Sequence, residues 1–253
     1  MNDRKNAGMT KVAVITGGGS GIGRAAGRKL AAAGWRVVLA GRRQAALDEA
    51  AAAHPGLIPL VADVTDEAAV QRLFDETVKR CGRVDLLFNN AGMFPPAAPV
   101  PDVALADFTA ALAVNVTGMF LCARAAFRVM QAQSPQGGRI INNGSISAQV
   151  PRPQAVAYTV SKHAVTGLTR ALALEGRAHN IACGQIDIGN AATELTAGIA
   201  RGSMQADGRM APEPMMDVED AAASVLHMAG LPLAANVQFM TVMATAMPFI
   251  GRG

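Results

Sequence analysis

Tyr158 and Lys162 lie four positions apart in Tyr158-Thr159-Val160-Ser161-Lys162, a run that reads as helix. Side chains at that spacing share a helix face. A phenol beside an ammonium has its ionised form favoured, so its pKa is expected to fall. A phenol that exchanges a proton near neutral pH suits the interconversion of an alcohol and a carbonyl compound. Such pairs also arise by chance, so the elements that would hold this one carry the weight.

Those elements alternate. Apolar, β-branched runs predict strands at 11–16, 36–40, 57–62, 84–88, 139–142, 181–188 and 237–243, and alanine-rich runs predict helices at 22–33, 44–53, 67–80, 105–131, 155–177 and 218–229. Strand interiors apolar on both faces suit a buried parallel sheet. The alternation implies right-handed crossovers and an α/β fold: a doubly wound, seven-stranded parallel sheet with helices on both faces, in one domain over 11–253. Thr65-Asp66-Glu67 reads as a helix start with acid in the first turn. Residues 1–10 read as a loose tail, with Met9 as an alternative start. Pro95, Pro96, Pro99 and Pro101 mark a loop after the fourth strand. The least regular stretch, 193–217, leaves the carboxyl end of the sixth strand, where open α/β sheets bind ligands, and reads as a substrate lid. The alternative is a plain surface connection.

The chain has 253 residues, 51% hydrophobic and only 4% aromatic, which favours helices packed closely on a sheet over a large aromatic core. The formal net charge is +4, but the basic residues are scattered without interleaved aromatics, so nucleic acid is not expected as a partner. No uninterrupted apolar stretch suits a membrane span, and the first residues lack an apolar signal core. Cys81, Cys122 and Cys183 form no C-x-x-C pair and read as reduced, packed thiols in a cytoplasmic protein. The four histidines show no metal-ligand spacing, and no metal is expected. Met210, Met215 and Met216 read as pocket lining or core.

Thr16-Gly17-Gly18-Gly19-Ser20-Gly21-Ile22-Gly23 joins the first strand to the first helix. Glycines there let backbone approach a ligand, and a helix start offers free N–H groups to a pyrophosphate. No lysine follows the last glycine, so this is not an ATP-binding P-loop. Dinucleotide sites for NAD place an acid at the end of the second strand. This chain has Gly41-Arg42-Arg43 instead, and guanidinium binds phosphate bidentately, so Arg42 points to the 2′-phosphate of NADP, with NAD as the alternative. Two solvated arginines would look the same, and Ser20 stands where a further basic residue would reinforce the phosphate reading.

With these motifs in place, the chain resembles the short-chain dehydrogenase/reductase family in its compact, Rossmann-type branch. The resemblance runs from about Lys11 to Met243. Thr16 to Gly23 match its cofactor turn, and Asp63-Val64 its adenine-side acid. Asn89-Asn90-Ala91-Gly92 match the segment bordering the cofactor, Asn115 the active-site asparagine, and Ser145 the serine thirteen residues before the tyrosine. The chain departs from the pattern at Asn142-Asn143-Gly144, where another serine is common, and at Ile188-Gly189, in place of Pro-Gly. Thr193 still falls at the carboxamide-binding threonine, and the Met-rich C-terminus is its own.

The resemblance implies hydride transfer between a nicotinamide dinucleotide and a secondary alcohol or ketone. Tyr158 would handle the proton. Lys162 would lower its pKa and hold the ribose, Ser145 would hydrogen-bond the developing alkoxide, and Asn115 would position a water. Cofactor contacts would come from Gly17, Gly19, Ser20, Gly21, Ile22, Gly23, Arg42, Asp63, Val64, Asn90, Ala91, Gly92, Gly189 and Thr193, besides Tyr158 and Lys162. A homotetramer or homodimer built on the two long helices is also implied. The apolar loops 93–101 and 193–217 suggest a moderately hydrophobic carbonyl compound without strong charge. Two other readings stay open: a non-catalytic dinucleotide-binding regulator or scaffold, and an epimerase or dehydratase of the larger branch.

Overall fold

Val12–Thr16 is apolar along both faces. In the computed structural model it forms a strand, β1, buried at all five positions. The structure describes residues 9–250; most of the expected tail, residues 1–8, lies outside the described residues. From β1 the chain continues through α1 (Gly21–Ala32), β2 (Arg36–Gly41), α2 (Gln44–Ala51), β3 (Leu57–Val61), α3 (Glu67–Cys81) and β4 (Leu86–Asn89). It then forms α4 (Leu105–Leu112), α5 (Met119–Ala132), β5 (Gly138–Asn143), α6 (Val156–Gly176) and β6 (Ile181–Gly189). The last part holds α7 (Ala197–Arg201), the short strands β7 (Ser203–Met204) and β8 (Met210–Ala211), α8 (Val218–Gly230) and β9 (Phe239–Met243).

Seven strands form one parallel sheet in the order β3-β2-β1-β4-β5-β6-β9. Alternate residues of a strand face opposite sides, and both sides are apolar here. Ala13 and Ile15 pack with Leu30, Leu47 and Val225 from α1, α2 and α8. Val14 packs with Phe74, Leu121 and Met130 from α3 and α5. The result is the doubly wound Rossmann-like domain that the alternating pattern predicts. The expected start of α3 is present: Asp66 Oδ1 accepts from the N–H of Ala68 (2.8 Å) and Ala69 (3.2 Å). Gly82, at φ 83°, ends that helix in the left-handed region.

Three local features differ from the sequence expectation. The single helix expected over 105–131 is interrupted by a π turn, Ala113–Gly118. Gly118 there lies so close to Val64 that a Cβ would stand 2.7 Å from Val64 Cγ2, and the turn rotates Asn115 inward. Averaged along its length, Leu105–Ala132 is also long and apolar enough to cross a membrane. Part of that apolarity serves the fold: Leu121, Cys122, Ala126 and Met130 lie in the core beneath the sheet. Finally, the segment 193–217 is less irregular than expected, because it contains α7 and the antiparallel β7–β8 hairpin.

Candidate active site

The glycine turn leaves the carboxyl end of β1. The hydroxyl of buried Thr16 accepts from the N–H groups of Asn90 and Ala91, both at 2.9 Å, and Asn90 Nδ2 donates to the Thr16 carbonyl at 3.0 Å. This locks the turn to the end of β4. Gly23 leaves no room for a side chain, since a Cβ would meet the Gly17 carbonyl at 2.3 Å. The start of α1 carries no side-chain cap and no acid in its first turn, so its N–H groups remain available to an anion. Gly17, Ser20, Gly21, Ile22, Asn90, Ala91, Gly92, Gly189 and Thr193 line one cleft with Ser145, Tyr158 and Lys162. Gly19 and Gly23 build the turn without lining that cleft.

Arg42, Asp63 and Val64 lie outside the cleft. Arg42 is exposed just after β2. The Asp63 carboxylate accepts from the Thr65 N–H (2.9 Å) and hydroxyl (2.8 Å). The Thr65 N–H chiefly, then the hydroxyl and the Arg42 charge, hold Asp63 below the usual carboxylate range against a smaller opposing effect of burial. Val64 is buried against Gly118.

Tyr158 and Lys162 do share a face of α6, and both are buried. Lys162 Nζ lies 5.5 Å from the Tyr158 ring centroid and donates to the Asn143 carbonyl at 2.8 Å. The expected fall of the phenol pKa is not found in the protein alone. Burial dominates and pushes Tyr158 up to about 12, opposed by the Ser145 hydroxyl and the Arg152 charge and reinforced by Asp187. Burial likewise pushes Lys162 down to about 8, with Asp187 opposing. A buried ammonium at that distance does not offset the cost of placing a phenolate out of water. Ser145 follows β5 and its Oγ accepts from the Ser147 N–H at 3.1 Å.

Asn115 does not line the cleft. Its Oδ1 accepts from the Met93 N–H (2.8 Å), and its Nδ2 donates to the Met93 carbonyl (3.0 Å) and to Ser161 Oγ (3.1 Å). The side chain thereby fixes the loop after β4. That loop carries Phe94, which stacks on Tyr158 with ring centroids 4.0 Å apart. Phe94 was not singled out in the sequence; its place two residues after the Asn-Ala-Gly segment was the available signal.

Arg152 was also missed. It lines the cleft and pairs with buried Glu213 at 2.7 Å, while donating to Asn190 Oδ1 (2.7 Å) and Ser203 Oγ (3.3 Å). The segment proposed as a lid is thus hooked to the chain ahead of α6, and the cleft is more polar than loops 93–101 and 193–217 suggested. Thr193 closes a capping box with Thr196 and lies against Gly21, bridging this segment to the glycine turn. The missing proline at Ile188 has a physical consequence: an N–H remains there, and β6 runs on to pair Gly189 with Met243. The Met-rich C-terminus packs Met243, Met247 and Phe249 on Ile146, beside Ser145. Met216 joins that cluster, whereas Met210 is exposed.

Cys122 and Cys183 are buried and their thiols pushed up to about 12 by desolvation, so they fill space as neutral groups. Among the described residues, no three His, Cys, Asp or Glu side chains gather as metal ligands would.

The fold is that of doubly wound α/β proteins, which bind ligands at the carboxyl ends of their strands, and the cleft lies at that end. Residues 11–203 match the short chain dehydrogenase family, and the chain belongs to it. Sulfoacetaldehyde reductase 2 of Chromohalobacter salexigens is 34% identical over 94% of this chain and 95% of its own. L-fucose dehydrogenase of Bos taurus is 34% identical over 73% of this chain and 67% of its own. Among solved structures, 3-ketoacyl-(acyl-carrier-protein) reductase from Brucella melitensis complexed with NADH superposes with a TM-score of 0.83. It has 25% identity and covers 93% of this chain and 97% of its own. An actinorhodin polyketide ketoreductase variant with NADPH gives a TM-score of 0.82, at 26% identity and 92% and 96% coverage.

Proposed function

We propose that the protein is an oxidoreductase that interconverts a secondary alcohol and a ketone with NADP, or NAD, and that Tyr158 is its general acid and base. The observation that carries this is the meeting of Ser145, Tyr158 and Lys162 with the glycine turn in one cleft. The turn fits a dinucleotide: it is a side-chain-free cradle at an uncapped helix start. When bound, such a cofactor supplies the hydride.

The chain's own groups would then handle the oxygen and its proton. The Ser145 Oγ accepts from Ser147, which leaves its O–H to donate to a substrate oxygen in the cleft. Tyr158, held neutral by burial, gives its proton to that oxygen as the carbonyl becomes an alcohol. Lys162, tied to the Asn143 carbonyl, places a positive charge beside the phenol as it loses the proton. Asn115 contributes through Met93 and the seating of Phe94, and Phe94 with Arg152 shapes the substrate side.

Exposed Arg42, with no acid at the end of β2, supports NADP over NAD. The reductase relatives support a carbonyl substrate, and Arg152 in the cleft allows it a polar group. Nothing in the comparisons favours the scaffold or epimerase readings. The test is turnover of a panel of alcohols, aldehydes and ketones with each cofactor. Tyr158→Phe should abolish turnover, by roughly a hundredfold or more, while cofactor affinity measured by fluorescence stays near wild type. Near-normal activity in that variant would end the proposal, and equal efficiency with NAD would remove the Arg42 argument.

A further inference from the structure

Asp187 sits inside β6, a central strand of a parallel sheet, and is only 2% exposed. A carboxylate there is costly unless its oxygens are satisfied. They are: Oδ1 accepts from the Ser145 N–H at 2.9 Å and from Gln185 Nε2 at 2.7 Å, and Oδ2 accepts from Gln149 Nε2 at 3.0 Å. All three donors are neutral, so they solvate the charge without cancelling it. Gln185 is fastened in turn to α6 through Thr166 Oγ1 (3.1 Å) and Thr169 Oγ1 (3.2 Å).

The room for this carboxylate is made by Gly144. A Cβ at that position would stand 2.1 Å from Asp187 Oδ1 and 2.7 Å from Gln185 Nε2. Gly144 also ends the Asn142-Asn143-Gly144 stretch in which the family often carries another serine. The two anomalies explain each other: the side chain missing from the serine loop is the space the β6 carboxylate fills.

We propose that Asp187 is a positioning residue for the reaction: its carboxylate fixes the backbone of Ser145 and places a buried negative charge next in chain to Ile186, the register partner of the Asn143 that holds Lys162. This rests on the oxidoreductase reading above. The titratable groups its charge reaches are Tyr158 and Lys162 from α6; the neutral Gln149 and Gln185 bond it directly, and Thr241 is its register partner on β9. Arg152, ahead of α6, acts on the same phenol from the substrate side. Burial is the larger cause in both groups; the Asp187 charge adds to it at the phenol and opposes it at the ammonium. One side chain thereby biases both members of the Tyr–Lys pair toward the protonated form.

Tyr158 is the only tyrosine in the chain, so tyrosinate absorbance in an alkaline titration reports it alone. In Asp187→Asn, which retains an acceptor for the Ser145 N–H, the tyrosinate midpoint should move on the order of one pH unit lower. Both limbs of the pH–rate profile should move to lower pH together. A merely structural role predicts lower amplitude and lower thermal stability with unchanged midpoints, and that result overturns the proposal. Asp187→Ala gives a second arm: the same midpoint shift, a kcat roughly tenfold below the Asn variant because Ser145 loses its anchor, and unchanged cofactor KM. An unmoved tyrosinate midpoint in whichever variant folds also overturns it. The absorbance titration needs no turnover. Wild type inactive on every alcohol and ketone would remove the oxidoreductase reading while still reporting on Asp187, and an unmoved midpoint beside normal wild-type turnover would remove only the Asp187 role.

Discussion

Lys162 shows how burial and function pull against each other in a single side chain. Its pKa falls from 10.5 to about 8 because the fold removes it from water. Between those values the unfolded chain binds a proton that the folded chain does not, so stability rises with pH across that window. Below about pH 8 the penalty is fully present. Lys162→Met should therefore remove that rise, so that its stability relative to wild type falls from pH 7 toward pH 10, as urea melts at several pH values would measure. Tyr158 works in the opposite sense: its pKa rises from 10.0 to about 12, so stability falls as pH climbs through that range. A variant that differed from wild type by the same amount at pH 7 and 10 would show that the ammonium is not the source. Tyr158, Lys162 and Ser145 were legible in the sequence because their spacing is local to one helix and one strand end. The direction of the phenol shift was not, because it depends on how deeply α6 is covered. Asp187 was hidden for the same reason: a lone acid in an apolar run says nothing of the glycine opposite it.

At the level of elements, periodicity placed every strand of the main sheet and every helix of eight or more residues to within a few residues, except that it joined α4 and α5 into one and missed the five-residue α7. It did so because both faces of the sheet are apolar and the helices are amphipathic. The π turn at Ala113–Gly118 escaped, since its cause is tertiary: Asn115 turns in to grip Met93, and Gly118 yields to Val64. The β7–β8 hairpin escaped because two residues per strand carry no period. Asn115→Ala should leave the Met93 N–H and carbonyl without partners and cost about 1–3 kcal/mol. Thermal melts and faster hydrogen exchange at the Met93 amide would register it. Freed from its seat on Tyr158, Phe94 should also alter KM more than cofactor affinity. An unchanged melting temperature would mean that the asparagine does not anchor the loop.

Over the whole molecule, the described surface leaves Leu105, Phe120, Val160 and Leu174 exposed along α4, α5 and α6. Self-association through these helices is the natural way to cover them, and light scattering should find a dimer or tetramer; a stable monomer would exclude it. The other whole-molecule trait is how the C-terminus returns to the cleft. Met216, Met243 and Met247 gather on Ile146, so three thioethers pack beside the strand end that bears Ser145. Peroxide would turn them into polar sulfoxides where the wall must stay dry. Mild oxidant should therefore inactivate the enzyme without touching a cysteine, and Met247→Leu should slow that loss.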